Sequence, residues 1–199
     1  SALGRMLGAL GFSAVGEHRS KDVTRWTQGD INIVVNREPE GFASSFDLVH
    51  GASVCAIGVR VSDVDGALGR AKGLGIARFE QAVGPDELPL PGVRGVGGSL
   101  IHFIADGEQK TLWSHEFPTA LADNPSKGLG LTRVDHIAQT MQYEEFLSWL
   151  LYYVALFDVA KTPQLEIADT LGLIQSQAVE SPDKALRLTL NGSQAAQTL

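Results

Sequence analysis

Residues 67–76 read Ala67-Leu68-Gly69-Arg70-Ala71-Lys72-Gly73-Leu74-Gly75-Ile76 and predict a short helix that leads directly into a strand. Glycine after Leu74 can take the left-handed conformation that ends a helix, and an apolar residue follows. The same order occurs near the start of the chain, where Ala2-Leu3-Gly4-Arg5 leads into Leu10-Gly11-Phe12. A third helix, predicted over residues 144–157, has a different sequence in a comparable place. It is apolar almost all round, so we expect it to be buried on more than one side.

Strands surround these three helices in the same order. An apolar, β-branched run at residues 54–61 indicates a buried strand before the second helix, and a strand containing His136 precedes the third. Three short strands are predicted after each helix: 13–18, 23–28 and 31–35; 77–81, 100–105 and 111–115; and 164–168, 173–180 and 186–191. The repeated unit is therefore strand, helix, three strands, which predicts an α+β fold with mixed curved sheets.

The copies of this unit are unevenly grouped. The first has no leading strand, because the chain begins inside its helix. A linker at residues 117–130, with two prolines and two glycines, separates the second copy from the third. We therefore predict an N-terminal pair of units at residues 1–116, and the first unit of a second domain at residues 131–199. Such units normally pair, so we expect a longer protein with one more strand in front and one more unit behind.

Composition narrows the class of protein. The 199 residues contain 44% hydrophobic and 20% charged side chains and carry a net charge of −7, which is typical of soluble globular proteins. A nucleic-acid surface needs a basic stripe, and none is present. The longest apolar run, residues 146–157, is too short to cross a bilayer. With Cys55 as the single cysteine and no secretory signal at its start, the chain is expected in the cytoplasm.

One histidine stands where it could serve as a ligand. In the run Thr132-Arg133-Val134-Asp135-His136-Ile137-Ala138, strand alternation places His136 on one face with Thr132, Val134 and Ala138. These smaller neighbours leave room beside the imidazole for a metal or a substrate. From the residues alone a structural or solvated imidazole is the simpler interpretation, because a metal site needs three or four convergent donors.

The paired units resemble the vicinal oxygen chelate superfamily with its glyoxalase-like fold, and within it the 4-hydroxyphenylpyruvate dioxygenase family. The segments that carry this resemblance are His18-Arg19-Ser20-Lys21-Asp22-Val23, Gln28-Gly29-Asp30-Ile31-Asn32, Arg94-Gly95-Val96-Gly97-Gly98-Ser99-Leu100-Ile101, Val134-Asp135-His136, residues 173–181 and Leu190-Asn191. The chain also resembles the dioxygenase-like half that some bacteria fuse behind a 3-dehydroshikimate dehydratase barrel. The quoted segments agree with both alternatives, a separate dioxygenase and a dehydratase fusion.

The resemblance implies a metal and a substrate pocket. The family holds iron(II), Fe(II), with two histidines and one glutamate and leaves positions for a 2-oxo acid and dioxygen. His136 matches the first histidine, and the other two ligands belong to a final unit beyond this chain. Ser176, Asn191 and Gln194 match polar residues that line the family's aromatic-substrate pocket. No catalytic side chain is assigned, and residues 1–116 correspond to the metal-free half.

The resemblance also implies a reaction. The longer protein is expected to be a homo-oligomeric dioxygenase of aromatic amino acid catabolism that converts an aromatic 2-oxo acid and dioxygen to a hydroxylated aryl acetate and carbon dioxide. This chain alone is expected to be inactive and to hold no metal by itself. The alternative is a non-catalytic or regulatory module fused to a 3-dehydroshikimate dehydratase. A third possibility is another dioxygenase of the same superfamily with a different substrate.

Other candidate residues have simpler interpretations. The glycine-rich residues 92–98 lead into a strand and not a helix, so they indicate a connecting turn and not a phosphate loop. His18-Arg19-Ser20-Lys21 could bind an anion, but a solvated hairpin tip is the simpler hypothesis. Cys55 is predicted to be an inert core thiol, and His102 to make a structural hydrogen bond.

Overall fold

The computed structural model of the protein describes residues 2–121, 128–169 and 172–193. The helices, in chain order, are α1 (Ala2–Ala9), α2 (Phe42–His50), α3 (Val64–Gly73), α4 (Gln109–Glu116) and α5 (Phe146–Leu156). The strands are β1 (Ser13–Glu17), β2 (Val23–Gln28), β3 (Ile31–Asn36), β4 (Ala56–Val61), β5 (Arg78–Phe79), β6 (Gly92–Arg94), β7 (Leu100–Ala105), β8 (Thr119–Ala120), β9 (Ile137–Gln142), β10 (Ala160–Lys161), β11 (Leu165–Asp169), β12 (Gly172–Glu180) and β13 (Arg187–Ser193). Short 3-10 turns lie at Val96–Gly98 and Tyr143–Glu145.

The first copy of the predicted unit forms a sheet with the strand order β3-β2-β1-β8. Neighbouring strands of this sheet run antiparallel. α1 packs on it through a small apolar core of Leu7, Phe12, Ile31 and Val35. This confirms the helix and the three strands predicted for residues 2–35. Within the described residues β3, the last strand of this copy, stands at one end of the sheet, whereas in the other two copies a leading strand pairs with the last strand.

The second copy has the strand order β4-β7-β6-β5. The strand predicted at residues 111–115 is wrong, because α4 occupies that stretch and β6 is the missing third strand. Leu112 and Glu116 are both buried and are four residues apart, which is a helical spacing. α2 was not predicted, although Phe42, Phe46 and His50 repeat the same spacing and stack on one another.

The third copy has the same strand order as the second. β13 pairs in parallel with β9 and antiparallel with β12, and both β10 and β11 pair with β12. α5 packs on this sheet through the buried Phe146, Leu150, Tyr153 and Leu156. A Cβ on Gly192 of β13 would lie 2.9 Å from the Cβ of Phe146, so only glycine allows this close approach.

One face of α5 is not covered. Leu147 and Leu151 are 67% and 68% exposed in the described part of the chain. The expectation that this helix is buried on more than one side is therefore wrong here, because the sheet covers only the face that carries Phe146 and Leu150. Among the described residues, no helix combines the length and apolar character that a membrane span requires.

The described residues divide into two compact units. One is formed from residues within 1–64, 79–92 and 102–134, and the other from residues within 65–78, 93–101 and 135–199. The division predicted at residues 117–130 concerns the whole protein and stays a prediction.

The predicted linker is attached to the first sheet. Thr119–Ala120 form β8 and pair with Gly16 and Glu17 of β1. Further on, the buried Gln28 accepts hydrogen bonds from the backbone amides of Leu129 (2.6 Å) and Leu131 (3.2 Å), and its amide donates to the carbonyl oxygen of Leu10 at 2.8 Å. The last described residues of this linker are therefore fixed in place.

Candidate functional site

His136 lies immediately in front of β9, which begins at Ile137. The prediction that it stands on the strand was therefore wrong by one residue. The parallel ladder with β13 starts at the pair Leu188 and Ile137, so the residues before Ile137 make no ladder pairs with that strand. The His136 side chain is 49% exposed. Its imidazole is thus open to solvent and not enclosed against the sheet.

One ring nitrogen of His136 is already engaged. The Nδ1 nitrogen lies 2.9 Å from Asp135 Oδ2, and Arg187 Nη1 lies 3.1 Å from the same oxygen. The hydrogen bond with His136, followed by the charge of Arg187, holds the pKa of Asp135 below its usual range. An ionised carboxylate can only accept, so Nδ1–H donates to Asp135, and in the neutral imidazole the lone pair is then on Nε2.

Two of the predicted pocket residues are neighbours across the third sheet. Ser176 of β12 pairs directly with Asn191 of β13, and Asn191 pairs with Thr140 of β9. Leu188 and Leu190 are fully buried and alternate with Asn191 along β13, so Asn191 belongs to the opposite face. Ser176 is buried and Asn191 is half-buried. This row of polar side chains agrees with the predicted ligand-facing side of the sheet.

The predicted metal ligand and the predicted pocket residues are separated along the sheet. Thr140 lies beside Asn191, and His136 comes four residues before Thr140. Four strand residues span about 13 Å along the strand direction. Gln194, the third predicted pocket residue, lies outside the described residues.

The described part of the chain does not contain a complete metal site. No three His, Cys, Asp or Glu side chains converge there closely enough to hold a metal ion. His136 fits one corner of an iron(II) site, because a metal-bound imidazole usually donates its other N–H to a carboxylate, as His136 does to Asp135. One imidazole alone does not hold iron(II), so a site that includes His136 would need further donors from outside the described residues.

The tip of the β1–β2 hairpin is exposed at Arg19 and Ser20, as the sequence predicted, but hairpin side chains also pair with distant carboxylates. His18 Nε2 lies 2.9 Å from Glu116 Oε2, and both side chains are at most 10% exposed. Ser20 Oγ donates to Glu87 at 2.5 Å, and Lys21 Nζ donates to the same carboxylate at 2.7 Å. We call these five residues the hairpin cluster. Burial lowers the pKa of His18 despite the neighbouring Glu116 carboxylate, which raises it.

Sequence reasoning missed the acidic half of the hairpin cluster. Glu87 is 67 residues from Ser20 along the chain, and no local pattern marks either it or Glu116 as a partner of the hairpin. The one hint in the sequence is that Glu116 follows Leu112 at helical spacing, which would place its carboxylate on the buried face. This hint is useful only if α4 is recognised as a helix.

The remaining candidates have structural roles. His102 Nδ1 lies 3.1 Å from the carbonyl oxygen of Leu90, which confirms the predicted structural hydrogen bond. Cys55 is half-buried and lies just before β4, so its predicted place in the core was wrong, although burial still raises the pKa of its thiol. An open cleft beside α3 is lined by Asp65, Lys72 and Arg78 among others, and none of the predicted site residues lines it.

Comparison with known proteins identifies the relatives of this chain. Residues 1–118 match the family model described as hydroxyphenylpyruvate dioxygenase, HPPD, N-terminal. The 3-dehydroshikimate dehydratase of Pseudomonas aeruginosa is 42% identical over 193 residues, which is 96% of this chain and 30% of the dehydratase. The 4-hydroxyphenylpyruvate dioxygenase of Pseudomonas sp. strain P.J. 874 is 34% identical over 184 residues, which is 92% of this chain and 52% of the dioxygenase.

A solved structure shows the same arrangement of elements. It is described as a xylose isomerase-like TIM barrel/4-hydroxyphenylpyruvate dioxygenase fusion protein and superposes with a TM-score of 0.81 at 40% identity. The match covers 96% of this chain and 30% of the fusion protein. The chain therefore spans about half or less of the length of these relatives, and they confirm the glyoxalase-like α+β fold.

Proposed function

The chain belongs to the hydroxyphenylpyruvate dioxygenase N-terminal domain family, and from this we propose that it is part of an iron(II) dioxygenase-like protein acting on an aromatic 2-oxo acid with dioxygen. One observation carries the proposal most directly. His136 has its Nδ1 hydrogen-bonded to Asp135, at the end of a sheet whose face opposite α5 carries Ser176 and Asn191. A nitrogen donor at the end of a polar row is suited to a metal ion that binds an aromatic 2-oxo acid as a chelating ligand.

The residues of this chain would share the work as follows. His136 supplies one of three protein ligands through Nε2, while the others lie outside the described residues. Ser176, Asn191 and Gln194 orient the aromatic ring and hydrogen-bond its phenolic hydroxyl. Iron(II) would supply a centre that the 2-oxo acid binds as a chelating ligand and that activates dioxygen. The buried position of Ser176 keeps water away from one side of the ring.

A second candidate function has its own support. The chain is more similar to the Pseudomonas aeruginosa dehydratase, at 42% identity, than to the Pseudomonas dioxygenase, at 34%. The longer protein would then carry a dehydratase barrel, with this chain inside a dioxygenase-like half that acts in assembly or regulation. Residues preceding Ser1 in the complete protein distinguish the two: a barrel of alternating strands and helices supports the fusion, and a short leader supports the separate enzyme.

The proposal is tested on the full-length protein. Purified under reducing conditions, it is expected to bind one iron(II) per chain and to consume dioxygen when 4-hydroxyphenylpyruvate is added. His136→Ala is expected to lose both iron and oxygen uptake while its circular dichroism stays unchanged, because one of three ligands is gone. His50→Ala, at an exposed histidine of α2, is the matched control and should keep both.

Each contrary result has a definite meaning. Iron bound in stoichiometric amount without oxygen uptake on any aromatic 2-oxo acid would favour the regulatory module. Unchanged iron content in His136→Ala would remove His136 from the site.

A further inference from the structure

Four side chains form a continuous polar chain that ends on His136. Glu180 Oε1 lies 2.7 Å from Arg187 Nε, and Arg187 Nη1 lies 3.1 Å from Asp135 Oδ2. Asp135 Oδ2 in turn lies 2.9 Å from His136 Nδ1. We call these residues the imidazole brace. All four belong to the same compact unit and all are within the described residues.

The sheet itself sets one end of the brace. Arg187 and Glu180 are directly paired residues on the antiparallel strands β13 and β12, so the ladder brings the two charges together. The Arg187 side chain is only 28% exposed. The cation therefore has a defined position before it meets Asp135, and less side-chain entropy is lost on pairing than for two free surface groups.

The other end of the brace needs this support. Asp135 and His136 precede β9 and have no place in its ladder, and their side chains are 59% and 49% exposed. An isolated pair at such exposure would sample many rotamers. Arg187 reaches across from the neighbouring strand β13 and holds Asp135, and Asp135 then limits how the imidazole can turn.

The brace also selects which ring nitrogen is free. In water a neutral histidine side chain exchanges between two tautomers, and the one with the proton on Nε2 is favoured. A carboxylate on Nδ1 selects the other tautomer, because only a protonated Nδ1 can donate to it. The lone pair on Nε2 is then exposed to solvent, the form that a metal ion needs.

We propose that Asp135 and Arg187 are positioning residues, which fix the tautomer and ring orientation of His136 so that Nε2 is presented to a metal ion. The inference deepens the proposed function, on which its metal-binding part rests. The tautomer part stands without a metal. Outer partners of this kind change metal affinity by about 10–100-fold when removed.

The first test needs no metal. Full-length protein labelled with nitrogen-15 histidine is examined by NMR at pH 8 without metal, and His136→Gln identifies the His136 signals. His136 is expected to show the Nδ1–H tautomer, and Asp135→Ala is expected to move it toward the Nε2–H tautomer. Asp158→Ala, at an exposed acid after α5, should leave it unchanged. A wild-type His136 with Nε2–H, or no change in Asp135→Ala, overturns the proposal.

The second test measures iron(II) affinity of the same full-length variants. Asp135→Ala is expected to bind iron(II) about 10–100-fold more weakly, and Arg187→Met several-fold more weakly. Asp135→Asn, whose amide oxygen can still accept from Nδ1, should recover part of the loss. Wild-type affinity in Asp135→Ala, where His136→Ala loses iron, overturns the positioning role. If the wild type binds no iron, the proposed function fails, while the tautomer measurement still decides the brace.

Discussion

Glu87 shows how a single carboxylate can tie distant parts of a chain together. It accepts hydrogen bonds from Ser20 Oγ, from Lys21 Nζ at 2.7 Å and from the Gly84 amide at 2.8 Å. Its side chain is only 5% exposed, and burial alone would raise its pKa. The three donors and the charge of Lys21 outweigh burial and lower the pKa to about 2.

This pKa predicts how stability depends on pH. The ordinary pKa of the group is 4.5, so in the unfolded chain it takes up its proton at higher pH than in the folded protein. The contribution of the Glu87 carboxylate to the free energy of unfolding is therefore present above pH 4.5 and is lost as pH falls toward 2. Glu87→Gln is expected to lower the free energy of unfolding at pH 7 by about 2 kcal/mol in urea titrations and to flatten the acid-side loss.

Glu80→Gln, at an exposed position of the same stretch, is the control and should change stability by less than about 0.5 kcal/mol. Equal effects of the two substitutions would mean that the hairpin cluster contributes nothing specific.

Asn191 carries a prediction about specificity. If its side chain hydrogen-bonds the phenolic hydroxyl, Asn191→Ala in the full-length protein should weaken binding of 4-hydroxyphenylpyruvate about fivefold, the equivalent of about 1 kcal/mol. Binding of phenylpyruvate, which has no such hydroxyl, should hardly change. Thr189→Ala, two residues earlier on the same face of β13, is the matched control. Equal weakening for both acids would argue against this hydrogen bond.

At the scale of elements, the attachment of the segment after residue 127 to β2 is the most informative feature. A single buried side chain, Gln28, satisfies two backbone amides and one carbonyl. Glycine is required nearby, since a Cβ on Gly128 would lie 2.4 Å from Gln28 Oε1. A segment that looks like a flexible linker in sequence is thus a bound strap, because its backbone groups find partners on the sheet.

Gln28→Ala should release this segment. The loss of three hydrogen bonds in a buried place is expected to lower the free energy of unfolding by about 2 kcal/mol. The amides of Leu129 and Leu131 should exchange with deuterium faster than in the unaltered protein, which hydrogen-exchange mass spectrometry can follow. Gln81→Ala, at an exposed glutamine, should alter neither quantity. Unchanged exchange at both amides would show that Gln28 does not hold the strap.

At the scale of the whole molecule, the third copy of the unit has no paired copy among the described residues. Its sheet presents a polar row with one potential metal ligand, and no complete set of donors is found among the described residues. The relatives that contain such a unit are about two to three times longer than this chain. We therefore propose the activity for a protein of that length, of which this chain would form a part.

This leads to a prediction for the chain of residues 1–199 alone. If it is produced in folded form, as checked by circular dichroism, it should retain no stoichiometric iron(II) after dialysis and consume no dioxygen with 4-hydroxyphenylpyruvate, because a single imidazole binds iron(II) weakly. The full-length protein, treated in the same way, is the control. Stoichiometric iron in residues 1–199 would contradict the proposal that the other ligands lie outside this chain.

Much of the architecture could be predicted from the chain itself. The glycine that ends each of two helices and the alternation in the strands predicted the repeated unit, since both depend on residues next to one another. Where a local pattern suited two structures, the prediction was wrong: residues 111–115 contain β-favouring threonine and tryptophan, yet they form α4. Burial of Leu112 and Glu116 on one face decided for the helix, and burial is a property of the folded chain.

The amino-acid order by itself predicted the repeated unit and marked His136, and its resemblance to a known family added Ser176, Asn191 and Gln194 as candidates. Only the folded chain decided what these side chains meet. Asp135, which contacts His136, also pairs with Arg187, 52 residues away, and Glu87 meets Ser20 across 67 residues. Periodicity reports which face a residue occupies, whereas long-range partners depend on how strands and loops pack in three dimensions. The electrostatic surroundings of a site therefore come from tertiary structure.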